Sequence, residues 1–126
     1  MKRRFLIDTV ILIDHLNGVA EAARWLESLK QGEAAISVIT RAEVLAGADA
    51  SDRPIVGELL DVFPCLDITP DVADAAAELR RLHRWKLPDA FQAALAGHHA
   101  LRLVTRNTRD LDPAKHPFVL APYRIV

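Results

Sequence analysis

Residues 5–9 are Phe5-Leu6-Ile7-Asp8-Thr9, three apolar side chains followed directly by an acid and a hydroxyl group. A short, continuously apolar run that ends at polar residues is typical of a strand covered on both faces of a sheet. An isolated carboxylate is expensive to bury, so Asp8 is expected where the strand ends and not within it. This stretch therefore predicts a buried first strand that delivers an acid to one edge of a sheet.

Similar short apolar runs alternate with helical patterns along the whole chain. The predicted strands are residues 5–7, 34–38, 65–68, 101–104 and 123–126, and the predicted helices are residues 11–16, 19–30, 40–47, 54–62, 71–85 and 89–99. Strands that alternate with amphipathic helices pair in parallel and are covered by helices on both faces. No repeat or Pro/Gly-rich linker divides residues 1–126. We therefore expect a single α/β domain with three layers, α/β/α, and a central parallel sheet of about five strands.

Four acids lie in or beside apolar or small-residue segments: Asp8, Glu43, Asp89 and Asp110. Asp8 ends the first predicted strand and Asp110 follows the fourth, while Glu43 and Asp89 lie near the starts of flanking helices. In open parallel sheets, ligands bind outside the carboxyl ends of the strands. The four acids are therefore candidates for one site.

Each acid also has a structural explanation when it is taken singly. Asp8 is a candidate cap of the helix that follows it, and Asp89 is a candidate N-cap of its own helix. Glu43 follows Thr40 by three residues, which is the spacing of a capping box. Asp110 lies in a polar loop, where a solvated acid is the default. These separate roles do not explain why parallel topology brings three or four of the acids to one edge.

Carboxylates gathered at one edge repel each other, and without a cation at least one is driven to take up a proton. A hard divalent ion with oxygen ligands removes this repulsion, and Mg²⁺ or Mn²⁺ suits a site that also receives phosphates and water. Such an ion lowers the pKa of a bound water and stabilises the charge that develops on a phosphoryl group. The expected chemistry is metal-dependent hydrolysis of a phosphodiester.

The four acids lie within longer segments, which are residues 5–9 (FLIDT), 40–47 (TRAEVLAG), 87–90 (LPDA) and 103–110 (LVTRNTRD). In order and spacing, these segments resemble the motifs of PIN-domain nucleases, and in particular those of the VapC ribonuclease toxins of bacterial toxin–antitoxin pairs. The resemblance extends over nearly the whole chain. It implies a three-layer PIN-like fold and a single-domain nuclease.

The resemblance also assigns roles to individual residues. The implied metal ligands are Asp8, Glu43, Asp89 and Asp110, which hold Mg²⁺ or Mn²⁺. Asp110 is implied to bind either directly or through water. The implied supporting residues are Thr105 and Asn107, which hydrogen-bond to an acid or to the scissile phosphate.

Position 10 departs from the family pattern. These nucleases commonly carry Asn or Ser two residues after the first acid, whereas this chain has Val10. A valine removes one supporting hydrogen bond near Asp8 and places more weight on Thr9. We expect the departure to affect metal affinity and not the fold.

The resemblance further implies the partners of the protein. RNA is the implied substrate, hydrolysed by metal-activated water, and Arg106 and Arg109 are either contacts for its backbone or ordinary solvated arginines. A homodimer is implied, together with a small VapB-like antitoxin that covers or disrupts the acidic site. Operator DNA is implied to be bound only through that antitoxin.

Composition limits the other possibilities. A net charge of −1 argues against nucleic-acid binding by bulk charge. The single Cys65 excludes an intramolecular disulfide and is expected to be a buried, inert thiol in a reducing compartment. Asp8 and Asp14 interrupt the apolar stretch after the basic N-terminus, which argues against a signal peptide. No run has the 18 or more apolar residues of a membrane span, so we expect no membrane association and a cytoplasmic protein.

Three alternatives are to be weighed at this point. A PIN-like nuclease that acts on DNA or in RNA processing would carry the same acids. A non-enzymatic, metal-binding signalling module, such as a receiver domain, also gathers acids at strand ends, but it needs adjacent acids after its first strand. A phosphatase of the haloacid-dehalogenase type needs an Asp-x-Asp. Here Asp8 is followed by Thr9 and Val10, which disfavours both of the last two.

Overall fold

The computed structural model describes residues 2–125, which form five strands and six helices. The strands are β1 (Phe5–Ile7), β2 (Ala34–Ser37), β3 (Cys65–Leu66), β4 (Arg102–Val104) and β5 (Val119–Leu120). The helices are α1 (Thr9–Leu16), α2 (Ala20–Glu27), α3 (Val38–Ala46), α4 (Arg53–Asp61), α5 (Pro70–His83) and α6 (Leu87–His98). All strands pair in parallel in the order β3-β2-β1-β4-β5, which confirms the predicted sheet.

Successive residues of the central strands pack on opposite faces of the sheet, as the pleat of a strand requires. Leu6 and Leu103 belong to the core that α5 and α6 cover. Ile7 and Val104 belong to a second core, which includes residues of α1, α3 and α4. Two apolar cores on either side of one sheet confirm the three-layer α/β/α prediction.

Strand β1 lies in the middle of the sheet, between β2 and β4. Its register with β4 pairs Ile7 with Val104, so the next residues of the two strands, Asp8 and Thr105, are neighbours at the carboxyl edge. The chain adds β2 and β3 on one side of β1 and then returns to add β4 and β5 on the other. The edge between β1 and β4 is therefore the topological switch point, where parallel sheets bind ligands.

The prediction of a fifth strand at residues 123–126 is wrong. Within the described residues, β5 is formed by Val119 and Leu120, which pair with Leu103 and Val104. Pro122 follows and has no backbone N–H to continue a ladder. Tyr123 instead donates its hydroxyl to a buried acid of α1. Val126, the last residue of that prediction, lies outside the described range.

The prediction that Thr40 caps a helix and forms a capping box with Glu43 is also wrong. Helix α3 begins earlier, at Val38, and its N-cap is Ser37, whose hydroxyl oxygen accepts from the Thr40 backbone N–H at 3.0 Å. Ser37 follows the last apolar residue of β2 directly, so the helix starts as soon as the strand ends. This shift places Thr40 in the buried interior and leaves Glu43 free for another role.

Among the other predicted helix boundaries, the cap of α1 is confirmed, whereas the predicted cap of α6 and the predicted end of α5 are wrong. Asp8 caps α1, since its side chain accepts from the Thr9 backbone N–H. The N-cap of α6 is Lys86, so Asp89 lies in the first turn and is not the cap. Helix α5 ends at His83 and not at residue 85, because Arg84 has a φ of 59° and turns the chain into the left-handed region.

The prediction that Cys65 is buried is wrong as well. The residue begins the two-residue edge strand β3 and its side chain is exposed. Edge strands this short leave one side open to solvent. Separately, none of the helices within residues 2–125 combines the length and apolar character needed to cross a membrane.

Candidate metal site at the carboxyl edge of the sheet

A groove of about 600 Å³ opens at the carboxyl ends of β1 and β4. Asp8, Glu43 and Asp89 line it, together with Arg106 and Arg109. Within residues 2–125, none of the four predicted acids forms an ion pair. The structure thus brings three of the four acids into one groove without pairing any of them with a cationic side chain.

Asp8 is the most buried acid of the groove, with 7% of its surface exposed. Its Oδ1 accepts from the Thr9 backbone N–H at 2.9 Å and from Gln92 Nε2 at 3.2 Å, and its Oδ2 accepts from Thr105 Oγ1 at 2.7 Å. The Asn107 backbone N–H donates to Thr105 Oγ1 at 3.0 Å, so the Thr105 proton is directed at Asp8. A carboxylate has about four acceptor positions. Three are filled by neutral donors, which leaves Oδ2 free to accept one more interaction.

The surroundings of the groove disfavour the ionised form of two of its acids. Burial raises the pKa of Asp8, an effect opposed mainly by the Thr105 hydrogen bond and reinforced by the charge of Glu43. The pKa of Asp89 is raised to about 6, mainly by burial and in part by the charges of Asp8 and Asp110. The groove therefore concentrates negative charge that a bound cation would stabilise.

Glu43 is exposed and accepts a hydrogen bond from one threonine. Thr9 Oγ1 donates to Glu43 Oε1 at 2.7 Å, and Thr9 Oγ1 also lies 2.9 Å from Thr40 Oγ1. Thr9 therefore contacts the first acid through its backbone and the second through its side chain. Val10 lines the groove beside it with a side chain that has no hydrogen-bonding group, and the supporting role of Thr9 in a metal site stays a prediction.

Asp89 and Asp110 are held more loosely. The Asn107 side-chain amide donates to Asp89 Oδ2 at 3.4 Å, a long contact. Asp110 is anchored through its backbone, because Trp85 Nε1 donates to its carbonyl oxygen at 3.0 Å. Its carboxylate is close enough to raise the pKa of Asp89, although Asp110 does not line the groove itself.

The donor set fits a hard divalent ion, but the four carboxylates do not form a closed cage. Among residues 2–125, no group of three or more His, Cys, Asp or Glu side chains converges into a complete metal site. All candidate donors are carboxylate oxygens, with threonine hydroxyls and an asparagine amide around them. Mg²⁺ needs few protein ligands, since it keeps several waters and uses one or two carboxylates with substrate phosphates. An open set of oxygen donors therefore suits Mg²⁺ or Mn²⁺ better than zinc.

The two arginines of the groove differ. Arg106 forms a two-pronged ion pair with Asp14 of α1, in which Nη2 lies 2.9 Å from Oδ1. Tyr123 donates to the same carboxylate at 2.8 Å. Arg109 is exposed and has no ion pair within the described residues. Arg109 is thus the freer of the two candidates for contact with a phosphate.

Several residues of this region escaped the sequence interpretation. Gln92 contacts Asp8 from the buried side, Thr40 contacts Gln92 and Thr9, and Asp14 holds the neighbouring arginine. A polar residue on the buried face of an otherwise apolar helix was the available signal for Gln92. For Asp14 no local signal identifies the partner, because Arg106 lies 92 residues away in sequence.

Comparison with known proteins agrees with this geometry. Residues 5–115 match the PIN domain. Ribonuclease VapC10 of Mycobacterium tuberculosis is 34% identical over 128 residues, covering 94% of this chain and 96% of the relative. A tRNA(fMet)-specific endonuclease VapC of Shigella flexneri is 29% identical over 86% of this chain and 90% of its own length. A toxin–antitoxin complex from Klebsiella pneumoniae contains a chain with a TM-score of 0.86 and 40% identity, covering 95% of this chain and 98% of that one.

The structure defines a class of protein with α/β/α architecture, a parallel sheet and unpaired acids at its switch point. The chain belongs to the PIN-domain family, and within it to the VapC ribonucleases.

Proposed function

We propose that the protein is an endoribonuclease toxin that hydrolyses RNA with Mg²⁺ or Mn²⁺ held by Asp8, Glu43, Asp89 and Asp110. One observation carries the proposal: Asp8 is a buried acid that receives only neutral hydrogen-bond donors, beside three further acids without ion pairs. A buried carboxylate is costly unless something positive approaches it. The open position on Oδ2 and the adjoining groove supply the place for that charge.

The bound ion would lower the pKa of a water for attack on the phosphodiester and stabilise the developing charge. The chain itself prepares the ligands. Thr105 and the Thr9 backbone keep Asp8 oriented, and the Thr9 hydroxyl orients Glu43. Asp89 completes the acidic set within the groove, with Asn107 as its hydrogen-bond partner, and Asp110 adds its charge from beside Asp89 without lining the groove. Arg109, exposed at the rim, would contact an RNA phosphate.

A cleavage assay tests the metal mechanism. Purified protein is incubated with an RNA panel that includes initiator tRNA, because one relative carries that specificity in its name, and with single- and double-stranded DNA. Each reaction is run with Mn²⁺ or Mg²⁺, with and without EDTA, and with Asp8→Asn as the control. We expect RNA cleavage that requires the ion and Asp8. Cleavage that persists in EDTA or in Asp8→Asn contradicts the mechanism, and cleavage of DNA alone contradicts the substrate.

The toxin role includes partners. We propose that a VapB-like antitoxin covers the groove, that operator DNA is contacted only through it, and that the protein acts in the cytoplasm as a homodimer. Support comes from the Klebsiella pneumoniae toxin–antitoxin complex, which shares 40% identity and nearly the whole length with this chain. Induced expression is expected to arrest bacterial growth, and coexpression of a small protein encoded beside it is expected to restore growth. Unimpaired growth on expression of active enzyme contradicts the toxin role.

A further inference from the structure

Gln92 is a buried amide beneath the acidic groove. It lies on α6 with 1% of its surface exposed, among the buried apolar residues Ala90, Ala93 and Leu95. Its Nε2 is 3.2 Å from Asp8 Oδ1 and 2.7 Å from Thr40 Oγ1. An amide nitrogen carries two protons and accepts nothing, so both contacts are donations by Gln92.

The donation to Thr40 leads into a longer chain of hydrogen bonds. Thr9 Oγ1 donates its one proton to Glu43 Oε1 at 2.7 Å, so in its 2.9 Å contact with Thr40 Oγ1 it is Thr40 that donates. Thr40 Oγ1 accepts from Gln92 at 2.7 Å and, at 3.4 Å, from Ser37 Oγ. One amide thereby connects two acids of the groove, Asp8 directly and Glu43 through two hydroxyls.

The orientation of Gln92 carries a cost. Its Oε1 is buried and has no hydrogen-bond partner within the described residues. The reverse orientation of the amide would place that oxygen against the Asp8 carboxylate, which also accepts and cannot donate while it is ionised. An apolar side chain at position 92 would avoid the cost of a buried, unpaired oxygen. The two donations from Nε2 are therefore what the amide contributes in this position.

We propose that Gln92 is a positioning residue that holds Asp8 and Glu43 as ligands of the cation through the chain Gln92–Thr40–Thr9. The inference rests on the proposed function, since the ion is the one proposed for the groove. Gln92 touches neither the ion nor the substrate, and it acts on the geometry of the two carboxylates. Residues that orient metal ligands from outside cost about 10- to 100-fold in metal affinity or activity when they are replaced.

Direct measurement of Mn²⁺ binding tests the inference without any RNA. Free Mn²⁺ is quantified by its electron paramagnetic resonance signal in titrations of the wild type, Gln92→Met, Thr40→Val and the double variant. We expect each single variant to weaken Mn²⁺ binding by about 10-fold or more. Because both substitutions interrupt the same chain of hydrogen bonds, the double variant is expected to bind Mn²⁺ about as weakly as the single variant with the lower Mn²⁺ affinity.

Val72→Ala provides the matched control. It truncates a fully buried side chain on α5, away from the groove, and lowers the stability of the fold without touching the chain of hydrogen bonds. Its Mn²⁺ affinity is expected to equal that of the wild type. Weakened binding in Val72→Ala would show that general loosening of the fold, and not the position of Gln92, controls the affinity, and would overturn the inference.

The remaining outcomes separate the two proposals. If the wild type cleaves RNA with Mn²⁺ and Gln92→Met binds the ion with unchanged affinity, the inference fails and the proposed function stands. If the losses of Mn²⁺ affinity in the two single variants add up in the double variant, the two residues act independently and the inference of one shared chain of hydrogen bonds fails. If the wild type binds Mn²⁺, the variants lose it, and no RNA is cleaved, the inference stands and the proposed function fails. A wild type that binds no Mn²⁺ contradicts both.

Discussion

Two buried aspartates, Asp8 at the N-cap of the first helix and Asp14 within that helix, have opposite surroundings. Both are nearly inaccessible, with 7% and 4% of their surface exposed. Asp14 is paired with Arg106 and hydrogen-bonded by Tyr123, and its pKa is lowered mainly by the bond from Arg106. Asp8 receives three neutral donors, and burial raises its pKa. The chain thus supplies a counter-charge to one aspartate and withholds it from the other.

The difference teaches that burial of an acid does not by itself mark a functional site. Asp14 is a structural acid, because its charge is satisfied within the fold and serves to join α1 to the loop after β4. Asp8 is equally buried, but its charge is satisfied only when something positive enters the groove. The absence of a cationic partner for Asp8, and not its burial, therefore marks the candidate metal site.

The largest effect on activity is expected for Asp8→Asn, which removes the charge of the aspartate that has no cationic partner. Because replacement of partners outside a metal site already costs about 10- to 100-fold, loss of a ligand is expected to lower Mn²⁺-dependent cleavage by at least about 100-fold. Stability in EDTA is expected to stay equal or to rise, since a buried unpaired charge is removed. Cleavage rates and urea unfolding of the same preparation provide both measurements. A stable variant with full activity would remove Asp8 from the site.

Asp14→Asn is the matched change at the paired member. The substitution leaves Arg106 without its ion pair. Because the Arg106 side chain is 36% exposed, the loss of stability is expected to be smaller than for a fully buried pair, at about 2 to 3 kcal/mol. The pKa of Asp14 is lowered from 3.8, so this stability is present above that pH and is lost as the pH falls through the folded-state pKa. Urea unfolding of both proteins across pH 2–8 measures the difference. A loss of stability as large in acid as at pH 7 contradicts the ion pair as its source.

Asp89→Asn examines the third acid of the groove. The pKa of Asp89 is raised from 3.8 to about 6, so the folded state holds its proton more tightly than the unfolded state. In metal-free protein, Asp89 does not lower the free energy of unfolding below pH 3.8. Its destabilising effect grows as the pH rises to about 6 and is constant above that pH. After discounting for solvent screening, the variant is expected to be more stable at pH 7 by about 1 to 2 kcal/mol.

Thermal or urea unfolding in EDTA measures this difference, and Mn²⁺ provides the control. Saturating Mn²⁺ is expected to stabilise the wild type more than Asp89→Asn, because the ion relieves the repulsion that the variant lacks. If Asp89→Asn is less stable than the wild type at pH 7 in EDTA, the groove is not under the electrostatic strain described above.

The smallest effect is expected for Tyr123→Phe. The change removes one hydrogen bond to Asp14 and leaves its ion pair with Arg106 intact, so we expect a loss of about 1 kcal/mol in stability. Cleavage per folded molecule is expected to stay at the wild-type level. A strong loss of activity in this variant would mean that the Asp14 cluster belongs to the catalytic groove and that the distinction between the two aspartates is false.

The central features could be predicted because their signals are local. Three apolar residues before Asp8 and the run before Thr105 mark buried strands, and parallel pairing makes their ends neighbours. Helices that alternate with such strands determine the layers. The acids follow from this placement, which is why Asp8, Glu43 and Asp89 could be expected in one groove before their contacts were known.

The features that could not be predicted depend on competition between possible helix caps and on contacts between residues far apart in sequence. Ser37 displaces Thr40 as the cap of α3, because the helix begins directly at the end of the strand, three residues earlier than the pattern suggested. The two residues of β5 form a strand only by pairing with β4, since a run so short carries no periodicity. The partner of Arg106 and the contacts of Gln92 come from elements far away in sequence. Local patterns carry no information on such pairs.

The pairing of β1 with β4 has a consequence for when the groove is assembled during synthesis. Asp8 and the threonine that donates to it, Thr105, are 97 residues apart and meet only after β4 inserts beside β1. A nascent chain that has been translated only as far as Glu43 already carries two of the acids but has neither Thr105 nor Asn107. The order of the strands therefore allows the groove to form only after β4 has been synthesised and has paired with β1.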